Sequence, residues 1–258
     1  MKIGAQLYTV RQACTTLEGL SESLKKVADI GYTSVQLSGV CAYEADWMDA
    51  QLKACGLSAD ITHFDYNRII NDTAATIAFH DRMGCRYIGI GSLPGIFSKE
   101  STPTDLEARI DELTPAIKAI YASGNHKFMY HNHNREFARF GEQNFLELLC
   151  DRFTPDELGI TLDTYWVQAG GADPAQWLHR LTGRVNCVHF KDMSFSLSDG
   201  AVRMAPIGEG NMNYDAILAA CVDARVEYAY IEQDNCYDED PFDCLRKSYA
   251  FLASKGFH

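Results

Sequence analysis

Apolar positions along this chain follow two alternating rhythms. Leu20, Leu24, Val27 and Ala28 recur at helical spacing, as do Leu106, Ile110, Leu113, Ile117 and Ile120, and again Phe242, Leu245, Tyr249 and Leu252. Between such stripes lie short runs rich in Val, Ile and Tyr, at 32–37, 57–62, 85–90, 127–130, 160–163, 185–190 and 228–232. The opening run 3–8 makes an eighth strand candidate. Gly31, Gly56, Gly84, Gly124, Gly159 and Gly183 stand before six of these runs, where a helix end calls for a left-handed residue; Arg225 precedes the last. Asp173-Pro174 and Asp240-Pro241 each pair an N-cap residue with a proline suited to the first helical position. Pro115 falls inside one stripe and is expected to bend or restart that helix.

Eight strands alternating with helices over 258 residues predict a closed (β/α)8 barrel with all strands parallel. No linker or composition break interrupts 1–258, so one domain is expected. Helix-to-strand links are short, whereas strand-to-helix links are long, at 92–103, 133–143, 164–172 and 191–213. In such barrels the chemistry sits at the face carrying the links after the strands. Strand ends are therefore where functional side chains are sought.

Composition narrows the setting. A net charge of −12, with no basic cluster longer than Lys25-Lys26, argues against nucleic acid as a partner. No apolar run approaches the ~20 residues of a membrane span, and no basic, apolar leader precedes the first strand. Nine cysteines, an odd count without a Cys-x-x-Cys pair, suit a reducing cytoplasm; Cys187 and Cys221 fall within strand and helix patterns as small apolar residues.

The strand ends carry chemistry. The fifth ends in Tyr130-His131-Asn132-His133, followed by Arg135 and Glu136; the sixth ends in Asp163, the seventh in His189 with Lys191-Asp192 beyond, and the eighth in Glu232-Gln233-Asp234. The third ends near His63. Any one of these alone is as readily a strand cap or a surface ion pair. Carboxylates and imidazoles delivered to one rim by successive strands are instead the donor set a divalent cation requires.

These motifs, together with Leu162-Asp-Thr-Tyr-Trp166, His189-Phe-Lys-Asp192 and Pro206-Ile-Gly-Glu-Gly210, resemble the xylose-isomerase-like sugar phosphate isomerase/epimerase superfamily. Inosose dehydratases, ketose 3-epimerases and enzymes acting on 3-keto-glycosides are the nearest branches of that resemblance, and endonuclease IV is a distant one. It implies a (β/α)8 barrel with one divalent ion, Mn²⁺ first and Mg²⁺, Co²⁺ or Zn²⁺ as alternatives. The implied ligands are Asp163, His189 and Glu232, with either His131 or Glu136 from the fifth strand region. Many members carry a glutamate where this chain has His131, so a carboxylate that moves protons in the epimerases is missing here.

The expected function is metal-dependent isomerisation or epimerisation of a keto-sugar or cyclitol through an enediolate. Lyase or hydrolase chemistry of the same superfamily is the alternative, and a phosphodiesterase the remote one. Glu232, Glu136 and His133 are the candidate proton-transfer groups. Lys191, Trp166, His63 and Gln6 are the candidate substrate contacts. With few basic residues in the long links (Lys99, Arg135, Arg139, Lys191 and Arg203), a neutral sugar suits the chain better than a phosphate. A homo-oligomer is allowed.

Overall fold

The computed structural model describes residues 1–98 and 100–258. Eight parallel strands close into a barrel: β1 (Lys2–Gln6), β2 (Ser34–Leu37), β3 (Ser58–His63), β4 (Tyr87–Ile90), β5 (Lys127–His131), β6 (Leu158–Asp163), β7 (Val185–Phe190) and β8 (Tyr228–Ile231). Each pairs with its sequence neighbours, and β1 pairs with β8, Lys2 opposite Tyr228, so no strand edge stays open. Helices pack around this cylinder, and the three apolar stripes face it: Leu20, Leu24, Leu106, Ile117 and Leu252 are fully buried. The eight-stranded parallel barrel is the fold expected from the sequence.

Local departures have physical causes. Five of the six marker glycines adopt the left-handed conformation, and Arg225 takes it at the seventh break with φ 57°. Gly159 does not; it lies inside β6, where a Cβ would come within 2.5 Å of Met129 Sδ, so glycine is needed for close approach rather than for a helix end. Pro115 neither ends nor restarts its helix, which runs from Pro103 to Ala122 under a Thr102–Asp105 capping box. The first strand stops at Gln6 because its side-chain oxygen accepts from Tyr8 N, turning the chain into a 3-10 helix over Leu7–Ala13.

Strand alternation sorts the barrel interior into layers. Ile61, Tyr87, Met129, Cys187 and Tyr230 form an apolar plug. Two residues further along their strands come His63, His131, His189 and Glu232, joined by Gln6, Gln36 and Asp163 from β1, β2 and β6. Thus the barrel floor is filled, and the next layer up is polar.

Candidate active site

Four donors converge at the C-terminal mouth. Ligand atoms of His131, Asp163, His189 and Glu232 all lie within 4.8 Å of one another, and all four side chains are buried. Each is placed by its strand end. Asn132, just past β5, accepts from Asp163 N through Oδ1, tying the ends of β5 and β6 together at 3.0 Å. Asp163 caps the helix Thr164–Ala169, its Oδ1 accepting from Trp166 N, which leaves Oδ2 facing the cluster. Glu232 N donates to Phe190 O, so the residue beyond β8 stays in register with β7.

The hydrogen bonds on the outer side of the cluster fix which atoms face inward. His131 Nδ1 donates to Gly91 O at 2.9 Å, which turns Nε2 inward onto Asp163 Oδ2, 3.2 Å away and within hydrogen-bond reach. His189 Nε2 donates to Gln36 Oε1 at 2.5 Å, leaving Nδ1 bare, 2.7 Å from Glu232 Oε2. Those last two atoms are out of line for a hydrogen bond, and each is buried without a hydrogen-bond partner. Lone pairs held this close repel unless a proton or a metal cation lies between them. Two imidazoles whose far nitrogens are anchored to carbonyl oxygens and two carboxylates with one inward-facing oxygen each make a donor set fitted to a borderline divalent ion.

The electrostatics agree. Burial raises the Asp163 and Glu232 carboxyls, but the Lys191 ammonium and the neighbouring imidazoles outweigh it and hold both well below the usual range. Burial, then His189, pulls the His131 imidazole down. Burial and then His131 lower His133 to about 3, so it is neutral. Burial pulls His189 down as well, yet Glu232 and Asp163 more than offset it.

A cavity of about 260 Å³ opens onto the cluster, lined by Gln6, Tyr8, Ser38, His63 and His133 together with Lys191, Asp234 and, from the cluster, His131 and Glu232. Gln6 Nε2 donates to Glu232 Oε1 at 3.2 Å. His63 is held by Ser38 Oγ through Nδ1 and keeps Nε2 buried without a partner. Trp166 packs behind His133, ring centroids 5.4 Å apart, with its indole N–H unpartnered. Lys191 reaches in beside the carboxylates rather than pairing with Asp192. Asp192 turns the other way and accepts from the amides of Gly208, Gly210 and Met212, so an internal carboxylate already occupies the amides of the Gly208-Glu-Gly210 turn.

Glu136 is the candidate that the structure leaves outside the cluster. Although buried, its Oε1 accepts from Tyr130 Oη and its Oε2 from His133 N, so both oxygens brace the link after β5. Of the two fifth-strand alternatives, His131 is the one that joins the donors. Lys99 lies outside the described residues. Sequence reasoning passed over Gln36, Ser38 and Gly91, and took Asp234 only as part of the eighth strand end without a role; Gln36 carried a signal, as a polar residue in the same rank as Gln6 within an otherwise apolar strand end.

Fold and mouth together define a (β/α)8 barrel with a four-donor cluster at its C-terminal face. Residues 24–234 match the xylose isomerase-like TIM barrel family, to which the chain belongs. The inosose dehydratase of Geobacillus kaustophilus (strain HTA426) is 23% identical over 190 residues, covering 66% of this chain and 61% of that protein. The chain thus matches about three fifths of that relative's length. Among solved structures, a sugar phosphate isomerase/epimerase from Parabacteroides distasonis ATCC 8503 superposes with a TM-score of 0.80 at 20% identity, covering 97% of this chain and 93% of the other. An L-ribulose 3-epimerase gives 0.74 at 15%, covering 98% and 94%. At such identities the structural likeness concerns the fold. Among the described residues, no helix is long and apolar enough to cross a membrane.

Proposed function

We propose that the chain, acting as one unit over 1–258, is a divalent-metal-dependent enzyme that removes a proton next to the carbonyl of an unphosphorylated keto-sugar or cyclitol, returning it to give an isomer or epimer. The observation that carries this reading is the pair of bare, buried atoms His189 Nδ1 and Glu232 Oε2, 2.7 Å apart and without hydrogen-bond partners, at the end of a sugar-sized cavity. His131 Nε2, Asp163 Oδ2, His189 Nδ1 and Glu232 Oε2 would hold the ion. Bound there, a divalent cation supplies Lewis-acid polarisation of a carbonyl and a template for the neighbouring hydroxyl.

The chain's own groups do the rest. Glu232 keeps Oε1 as the proton acceptor, steadied by Gln6 Nε2. His133, neutral at physiological pH, accepts or relays a proton at the cavity wall. His63 Nε2 offers a hydrogen bond to a substrate hydroxyl. Glu232 and Asp234 line the cavity and Lys191 is taken up by carboxylates, so a phosphate has no free cation there. The relatives add weight, one being named for dehydration of an inosose and another for epimerisation of a ketose.

One observation favours elimination as the fate of the same carbanion. His131 spends Nδ1 on Gly91 O and turns Nε2 to Asp163, so it is not a second base, and inversion would fall to His133, which burial makes a weak one. Elimination needs only one. A panel of ketoses, inososes and 3-keto-glycosides in deuterated buffer with Mn²⁺ tests the proposal. Metal-dependent label beside the carbonyl, or loss of a β-substituent, is expected; a panel that remains unlabelled and unchanged excludes it.

A further inference from the structure

Lys191 is one of the largest fully buried side chains in the protein, 2% exposed, and its ammonium sits on the oxygens that a metal would use. Nζ lies 3.1 Å from Asp163 Oδ2 and 3.1 Å from Glu232 Oε2. Neither contact is a hydrogen bond. The hydrogen bonds go instead to Asp234, at 2.9 and 3.1 Å to its two oxygens. Asp234 stands nearer the cavity opening, its side chain 24% exposed. The ammonium therefore has a well-formed seat on Asp234 and a purely coulombic hold on the two inner oxygens.

Charge count points the same way. With every carboxylate ionised and the imidazoles neutral, as metal binding requires, Asp163, Glu232 and Asp234 against Lys191 leave this cluster two negative charges from neutrality, the charge of one divalent ion. Without a metal, Lys191 is the cation that keeps two buried carboxylates tolerable. With one, like-charge repulsion at such distances drives the ammonium off the inner oxygens.

We propose that Lys191 is the resident counter-cation of the ligand set, that metal entry shifts its ammonium fully onto Asp234, and that this exchange sets the affinity for metal. The inference rests on the metal reading of the cluster given above. It is tested by Mn²⁺ binding in the absence of substrate, measured calorimetrically for wild type, Lys191→Met, Asp234→Asn and the double variant. Lys191→Met should bind Mn²⁺ about tenfold more tightly and Asp234→Asn about tenfold more weakly, and the Asp234→Asn penalty should largely vanish in the double variant. Unchanged or weaker binding by Lys191→Met overturns the proposal, as does an Asp234→Asn penalty that persists without the lysine. Should Lys191→Met not fold, a Mn²⁺-loaded wild-type crystal structure decides, since Nζ must leave Asp163 Oδ2 while keeping Asp234. Equal Mn²⁺ affinity across the four proteins overturns this inference alone; no binding by any of them overturns the metal reading with it.

Discussion

Both mouths of this barrel are polar, but only one is unsatisfied. At the N-terminal mouth Lys2 donates to Ser58 Oγ, Ser34 and Ser58 donate to Asp60, and Tyr87 and Asn186 donate to Glu227, which also pairs with Arg86. Each of these groups has a partner. At the C-terminal mouth Gln36 Nε2, His63 Nε2, Trp166 Nε1, His189 Nδ1, Glu232 Oε2 and Gln233 Oε1 are buried with none. A protein that leaves buried donors and acceptors unpaired gives up stability there. The saturated end holds the barrel together, and the unsaturated end is where we propose that cation and substrate bind.

The comparison breaks most sharply at Asp163. Asp163→Ala should abolish stoichiometric Mn²⁺ retention, with circular dichroism unchanged, because the residue sits above the apolar plug rather than in it. Next comes Glu232→Gln, which keeps the side chain's size but removes proton acceptance; turnover on whichever panel substrate reacts should fall about 10²–10⁴-fold. His63→Phe, by contrast, should raise KM and spare Mn²⁺ affinity, since His63 lines the cavity but is not one of the four converging donors.

Histidines sharpen the contrast further. His80 lies fully buried, with Nδ1 donating to Thr76 O and Nε2 accepting from Thr62, one residue before His63. Burial lowers it to about 4 against the weaker raising effect of the Thr76 carbonyl. The folded state thus binds fewer protons than the unfolded one between about pH 6.5 and 4. The stability this neutral histidine contributes is present above that window and is lost as pH falls through it, roughly 3 kcal/mol at 1.36 kcal/mol per unit. Chemical denaturation across that range should show the decline, and His80→Gln should lessen it by about that amount, the remainder belonging to the other buried histidines.

The smallest effects are expected at carboxylates whose oxygens are already taken. Glu227→Ala and Glu136→Gln should each cost about 1–3 kcal/mol of unfolding free energy while leaving Mn²⁺ binding unchanged. Metal loss in Glu136→Gln would restore that residue to the ligand set.

Glu227 and Glu232 show how far the sequence alone could be read. They flank the same strand, one at each end, and differ in function only through the direction of the barrel. The glycine-marked rhythm conveyed that direction, so Asp163, His189 and Glu232 were legible as one rank. His131 and Glu136 stayed open because the link after β5 folds back, and only the Tyr130 and His133 contacts show where Glu136 spends its oxygens. Asp234, legible as part of a strand end, and Gly91 act through distances to atoms far along the chain, Lys191 Nζ and His131 Nδ1, and local pattern carries no signal for those partners. Gly159 was misread for a related reason: its role is to clear space for Met129, on the neighbouring strand.

The most direct measurement is the anomalous difference map of a crystal soaked in Mn²⁺. One peak per chain, enclosed by His131, Asp163, His189 and Glu232, is the result expected of an unsatisfied mouth built for a cation. A peak among Asp60, Glu227 and their partners at the opposite mouth, or none at either, would contradict it.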